Sequence, residues 1–198
     1  EGAKAVDARI EGGRVRAVTF TKGAETFEIE CERLVVADGV RSGLGKVLGR
    51  QWHQDTVYAV AGRCYVDSAR ADDPWISSHL ELRSETGETL PGYGWIFPVG
   101  DGTVNIGVGL LSTFRDFKSV NTTHLLDAYA HQVAERWEID PGNPECKATS
   151  GRIPMGGSVG PNAGPSFLVV GDAAGSVNPF NGEGIDYAYE TARIAAQV

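Results

Sequence analysis

Val6, Ala8 and Ile10 alternate with polar residues, Glu11-Gly12-Gly13-Arg14 interrupts the pattern, and apolar positions resume from Val15 to Phe20. Strand, tight turn and strand is the simplest reading, a β-hairpin. A second turn around Lys22-Gly23 leads to Phe27, Ile29 and Cys31 in alternation, and the apolar run Leu34-Val35-Val36-Ala37 then stops at Asp38-Gly39. An unbroken apolar run of that length predicts a buried strand of the parallel-sheet kind. Residues 56–66 and 78–83 predict further strands, the second alternating Leu80 and Leu82 with Glu81 and Arg83.

The clearest hairpin joins Gly94-Trp95-Ile96-Phe97-Pro98, through a turn at Asp101-Gly102, to a strand with Val104, Ile106, Val108 and Leu110 on one face. Its other face carries Asn105, Gly107 and Gly109, and such small residues predict either a bend in the sheet or the close approach of a ligand or another backbone. Leu125, Tyr129, Val133 and Trp137 recur every fourth residue between Asn121 and Ile139, with Leu126 and Ala130 beside them, and Asp140-Pro141-Gly142 ends the pattern. This is an amphipathic helix. His124 and His131 on it have no acidic partner at ligand spacing and receive no role. Residues 141–164, rich in Gly and Pro, read as a connector before a strand from Phe167 to Val170. A last helix carries Ile185, Ala188, Tyr189, Ala192 and Ala196 on one side.

With 41% hydrophobic and 22% charged residues over 198 positions, the chain can bury a core without disulfide or metal staples. Its 18 Lys and Arg against 26 Asp and Glu give a net charge of −8, and no basic stretch is fit to neutralise a phosphate backbone. Nucleic acid is therefore not an expected partner. Cys31, Cys64 and Cys146 are widely separated and none belongs to a Cys-x-x-Cys pair, so neither a metal site nor a disulfide framework is expected. The apolar runs fall far short of the ~20 residues that span a bilayer. Glu1 stands where an initiator methionine would be, and Ala192 to Val198 lie inside a helical pattern without a stop signal, so the chain reads as an internal piece of a longer protein.

Chemistry concentrates in residues 168–185. An apolar strand delivers Gly171-Asp172, and Asn178-Pro179-Phe180-Asn181-Gly182-Glu183-Gly184-Ile185 then opens the last helix. A carboxylate at a strand end can accept from ribose hydroxyls, while exposed amides at a helix start favour negative charge or an electron-rich carbonyl, which is the logic of a nucleotide site. Gly182 and Gly184 would let a flat ring lie against the backbone. A strand-turn-helix corner capped at Asn181 would explain some of the glycines but not the whole string. Gly43-Leu44-Gly45-Lys46-Val47-Leu48-Gly49 superficially matches a loosened dinucleotide fingerprint, but it follows an Asp-Gly turn, lacks the spacing and has no acid about 20 residues on.

These residues carry a resemblance. The string from Gly171 to Ile185 is similar to the second FAD-binding motif of the hydroxybenzoate-hydroxylase-like flavoproteins. Leu34-Val35-Val36-Ala37-Asp38-Gly39-Val40-Arg41-Ser42 resembles the same superfamily's Asp-Gly motif, which usually has Arg three residues after the Ser. Here Gly45 stands there and Lys46 follows, a shift of the charge by one position. Pro91-Gly92-Tyr93-Gly94-Trp95-Ile96-Phe97-Pro98, Asn105-Ile106-Gly107-Val108-Gly109 and Gly151-Arg152-Ile153-Pro154-Met155-Gly156-Gly157 resemble geranylgeranyl reductases, most closely actinobacterial members that include menaquinone side-chain reductases.

The resemblance implies an α/β (α+β) fold: part of a Rossmann-like FAD-binding domain in residues 1–50 and 165–198, with a β-sheet-rich substrate domain in 51–164. The N-terminal Gly-x-Gly-x-x-Gly of such proteins has no copy here. It implies cofactor contacts by Asp38, Gly39, Gly171, Asp172, Pro179, Gly182, Glu183, Gly184 and Ile185, with Asp172 on the ribitol or ribose and the amides of Gly182 to Ile185 near the flavin pyrimidine edge. Tyr93, Trp95, Phe97 and Gly107 would line an apolar path for an isoprenoid chain, whose unpolarised double bond needs a hydride, a proton and stabilisation of positive charge by aromatic faces. Tyr93 is a candidate proton donor, and no residue is assigned as catalytic. The expected activity is FAD-dependent reduction of isoprenoid double bonds, with NAD(P)H or ferredoxin as electron donor. An aromatic monooxygenase or halogenase of the superfamily, or a non-enzymatic binding module, is the alternative. The expected place is cytoplasmic, with peripheral contact at the inner face of a membrane through exposed apolar residues.

Overall fold

The computed structural model describes residues 1–84, 86–144 and 148–198, so Cys146 lies outside the described residues. The chain divides into two compact units, one formed by Glu1–Tyr58 with Ile153–Val198, the other by Ala59–Arg152.

In the first unit, β1 (Lys4–Glu11), β2 (Arg14–Lys22) and β3 (Glu25–Glu30) form an antiparallel sheet in that order. Its first turn is Gly12-Gly13, both with positive φ (57° and 77°), the backbone of a two-residue hairpin loop. Next come β4 (Leu34–Val36), the short helix α1 (Gly43–Val47) and β5 (Gln51–Trp52). The second unit carries β6 (Ala59–Ser68), β7 (Ser77–His79), β8 (Gly92–Pro98), β9 (Thr103–Leu111), α2 (Thr122–Trp137), β10 (Ile139–Pro144) and β11 (Thr149–Ile153). The chain then completes the first unit with β12 (Val159–Gly160), β13 (Ala163–Gly164), β14 (Phe167–Val169) and α3 (Ile185–Ala195). Because β12 pairs with β5, both flanks of the expected 51–164 segment lie in the first unit.

β4 and β14 pair in parallel, Leu34 with Phe167, Val35 with Leu168 and Val36 with Val169, and β13 continues that sheet on the far side of β14. Val36 and Val169 enter a core with Val15, Val18, Leu44 and Leu48. Val35 points the other way and is exposed, so the run 34–37 is buried on one face only, as befits an edge strand.

The second unit is a sheet ordered β10-β6-β9-β8-β7, with β11 also on β6. Val104, Ile106, Val108 and Leu110 of β9, Ile96 of β8, and Cys64 and Val66 of β6 are buried with Leu125, Leu126, Tyr129, Val133 and Trp137 of α2. Burial of large side chains such as Tyr129 and Trp137 contributes roughly 1.5–3 kcal/mol each. Asn121 caps α2, its Oδ1 accepting from the N–H groups of Thr123 (2.9 Å) and His124 (3.3 Å). The helix ends earlier than expected, at Glu138 in the left-handed region (φ 49°).

Two expectations change. The supposed strand 78–83 stops at His79, and the chain turns into a loop closed by the Leu90 N–H donating to Leu82 O (2.8 Å), which leaves Leu80 exposed and Leu82 buried. The connector 141–164 contains strands: β10 runs along the outer side of β6 despite Pro141 and Gly142, an edge position where such residues are tolerated.

Candidate cofactor and substrate sites

Parallel pairing of β4 with β14 places the two acidic turns at one edge of one sheet. Asp38 follows Val36 by two residues, Asp172 follows Val169 by three, and the Val170 N–H donating to Val36 O (3.0 Å) extends the pairing towards both. Crevices at the carboxyl ends of such strands are where nucleotides bind in α/β sheets. Asp38 Oδ2 accepts from the Leu44 N–H at 2.8 Å, which folds the Asp38-Gly39 turn onto α1.

Asp172 sits in a tight helical turn, Gly171–Ala174, against the first turns of α3. The Gly171 N–H donates to Thr191 Oγ1 (3.0 Å), and a Cβ on Gly171 would be 3.3 Å from that of Ala188. Asp172 is half-buried, and desolvation raises its carboxyl above the ordinary carboxylate range. A Cβ on Gly184 would lie 3.6 Å from Asp172 Oδ1, so the start of α3 and the carboxylate share one small space. Gly184 is the N-cap and no side chain caps the helix. The first-turn N–H groups, which have no intrahelical acceptor, are left for something else.

The loop before α3 is organised by two asparagines. Asn178 Oδ1 accepts from the Phe180 N–H (2.8 Å), Asn178 Nδ2 donates to Tyr187 OH (2.5 Å), and Asn181 Oδ1 accepts from the Glu183 N–H (3.0 Å). The Gly182 N–H donates to Asn178 O (2.9 Å). Of the four amides expected to face the flavin, those of Gly182 and Glu183 are therefore engaged inside the loop, while Gly184 and Ile185 open the uncapped helix. Asn181 closes the loop rather than capping α3. Pro179 and Phe180 are exposed at its tip, with Pro179 near Gly156, where a Cβ would be 3.6 Å from its Cδ.

In the second unit, the face of β8 and β9 opposite α2 carries an aromatic row. Tyr93 and Trp95 lie 6.0 Å apart between ring centres, and Trp95 and Phe97 stack at 6.2 Å and 28°. Trp95 Nε1 donates to Asn105 Oδ1 (2.9 Å). Gly107, across from Trp95, offers no open space: a Cβ there would be 2.0 Å from Trp95 Cζ2, so the indole fills the place that the missing side chain leaves. The small residue accommodates a ring of the protein itself.

Two features carry no sequence signal. Tyr129, fully buried, has its hydroxyl 2.6 Å from His79 Nδ1; burial holds the phenol well above its usual range and the imidazole below its own, with the Arg136 charge adding to the second effect. Arg50 is buried beside Ala173. Cys64 faces the α2 core.

No family model matches the chain. It is 50% identical over 198 residues to a protein named menaquinone reductase from Mycolicibacterium smegmatis, covering 100% of this chain and 47% of that one. Over its whole length it is a homologue of menaquinone reductases. It is also 31% identical over 190 residues to digeranylgeranylglycerophospholipid reductase 2 of Methanothermobacter thermautotrophicus, covering 94% of this chain and 45% of the relative. The chain thus spans about half the length of these relatives. Its fold matches a geranylgeranyl bacteriochlorophyll reductase-like protein from Thermoplasma acidophilum with a TM-score of 0.71 at 21% identity, covering 98% of this chain and 47% of that one. A triple mutant of the flavin-dependent brominase Bmp2 shares it at 0.67 and 18% identity, over 98% of this chain and 50% of that one. The mixed α/β, sheet-rich architecture expected from the sequence is therefore that of this group.

Proposed function

We propose that the protein to which this chain belongs uses FAD to reduce carbon–carbon double bonds of an isoprenoid lipid, such as a geranylgeranyl group or the side chain of a prenylated quinone. The observation that carries the proposal is the 50% identity to a menaquinone reductase across all 198 residues, a span that contains both acidic turns and the aromatic strand. The residues fit the cofactor. The half-buried Asp172 would accept from sugar hydroxyls, and the uncapped start of α3, where Val177 Cγ2 and Asp172 Oδ1 already close in on Gly184, would favour an electron-rich carbonyl edge. Bound and reduced, FAD supplies a hydride.

The chain's own part is to bind, orient and shield. The row Tyr93, Trp95 and Phe97 offers apolar area to an isoprenoid and π-faces to developing positive charge. Tyr93 is the candidate proton donor, and NAD(P)H or a ferredoxin the candidate electron donor. Among the described residues no helix is long and apolar enough to cross a membrane. Trp75, Ile76 and Leu80, each more than 70% exposed, are the residues we assign to peripheral lipid contact.

The test is to purify the full-length protein, record its visible spectrum, and incubate it with a reductant and a prenylated quinone. Flavin absorption bands and a product heavier by two hydrogens per saturated bond are expected. A colourless protein, or a reduced flavin that consumes oxygen with an aromatic substrate and leaves the prenyl chain intact, would overturn the proposal.

A further inference from the structure

Arg50 is only 3% exposed, and none of the motifs assigns it a task. Its Nε donates to the carbonyl of Ala173 (2.6 Å), the residue after Asp172, and its guanidinium carbon stands 5.7 Å from the centre of the Trp52 ring. Both Nη nitrogens are enclosed by protein and meet no acceptor among the described residues. Burial disfavours its charge, and Asp38, two residues beyond β4, favours it. Arg50 lies just after α1, whose Leu44 N–H holds the Asp38 turn, and its own side chain holds the Asp172 turn through Ala173.

Gly45 explains how the side chain comes to be there. A Cβ at position 45 would be 3.1 Å from Arg50 Cδ and 2.1 Å from Ser42 Oγ. A basic side chain at position 45 and the stem of Arg50 compete for one space, and this chain resolves the competition in favour of Arg50. Lys46, to which the sequence shifts the motif's charge, is exposed on α1.

We propose that Arg50 is the positioning residue of this site: from just beyond α1, the helix onto which Asp38 folds, it holds the Asp172 turn through Ala173, and its charge offsets that of Asp38 for an incoming cofactor diphosphate. Arginine stays protonated in a protein interior, so its charge persists wherever Asp38 is ionised. A diphosphate approaching the strand ends with Arg50 absent meets two carboxylates; with Arg50 present, one of them is compensated. Enclosing a guanidinium with two unmet donors is unfavourable for folding, so Arg50 is not there for stability alone.

The inference rests on FAD binding, and one titration separates the two. Full-length protein stripped of flavin is titrated with FAD by fluorescence quenching, as wild type, Arg50→Met, Arg50→Lys, Asp38→Asn and the double variant Asp38→Asn/Arg50→Met. No binding by wild type overturns the FAD reading itself. With wild type binding, Arg50→Met is expected to weaken FAD about 30-fold, and Arg50→Lys, which keeps the charge, about threefold. The double variant is expected about threefold weaker than wild type, because the uncompensated charge is gone while the Ala173 contact is still missing, and Asp38→Asn alone should tighten FAD about threefold. A merely structural Arg50 would leave the double variant as weak as Arg50→Met. Unchanged affinity in Arg50→Met, or no recovery in the double variant, overturns the inference. If Arg50→Met does not fold, the other two single variants decide: a large loss in Arg50→Lys or a weakened Asp38→Asn overturns it.

Discussion

Gly94→Ala is the substitution whose cost the structure determines most closely. The added Cβ would lie 2.3, 2.4 and 2.8 Å from Cζ, Cε2 and Cε1 of Tyr129, about 1.1 Å short of ordinary contact at the nearest atom. The ring cannot retreat easily, since it is fully buried among Ile96, Val108, Leu125 and Val133 and its hydroxyl is tied to His79. Overpacking of this kind costs about 1–3 kcal/mol. Displacing the ring by an ångström also breaks the Tyr129–His79 bond, about 1 kcal/mol more. The expected destabilisation is roughly 2–4 kcal/mol, a urea midpoint lower by roughly 1–2 M. Urea unfolding followed by tryptophan fluorescence measures it, and the double variant Gly94→Ala/Tyr129→Leu supplies the control, because with the ring gone the added methyl should cost less than about 1 kcal/mol. A loss below about 0.5 kcal/mol in Gly94→Ala, or the same loss in the Tyr129→Leu background, would refute the packing of α2 on this sheet.

The His79 imidazole, held below its usual range mainly by burial and then by the Arg136 charge, takes up its proton later than in the unfolded chain as pH falls. Stability should therefore drop as pH is lowered through His79's ordinary titration range and level off below the folded value, and His79→Gln should remove that part of the profile in pH-dependent urea melts. Asp172→Asn removes a carboxylate whose ionisation burial disfavours; stability at neutral pH should hold or rise while FAD affinity of the full-length protein falls about tenfold, and a loss of stability without loss of affinity would contradict the assigned role. Replacing Trp75, Ile76 and Leu80 by Ser should abolish vesicle binding of the full-length protein, and wild-type binding should survive raised salt; release at moderate ionic strength would point to charge instead.

Much of the fold is written in local pattern. The Gly12-Gly13 hairpin, the burial of Val104 to Leu110 and the α2 face follow from periods of two and about 3.6 residues. The parallel character of β4 was legible in its unbroken apolar run, but its partner β14 was not. What the pattern hides is long-range. Pro141 and Gly142 read as connector, yet β6 offers its outer side to them, and only pairing over about 75 residues of sequence separation reveals it. Gly107 read as room for a ligand because nothing local says that the Trp95 ring lies across it. Arg50 was invisible for the same reason: its partners, Ala173 and Asp38, are brought to it by the sheet and not by spacing.

A structure of the full-length protein with FAD bound, solved experimentally, tests the central claim most directly. The expected result is a sugar or ribityl hydroxyl about 2.6–3.0 Å from an Asp172 carboxylate oxygen, with the flavin's pyrimidine edge at the Gly184–Ile185 start of α3 and the diphosphate on the Asp38 side. A flavin held elsewhere, with Asp172 out of hydrogen-bonding reach and the start of α3 facing solvent, would contradict it.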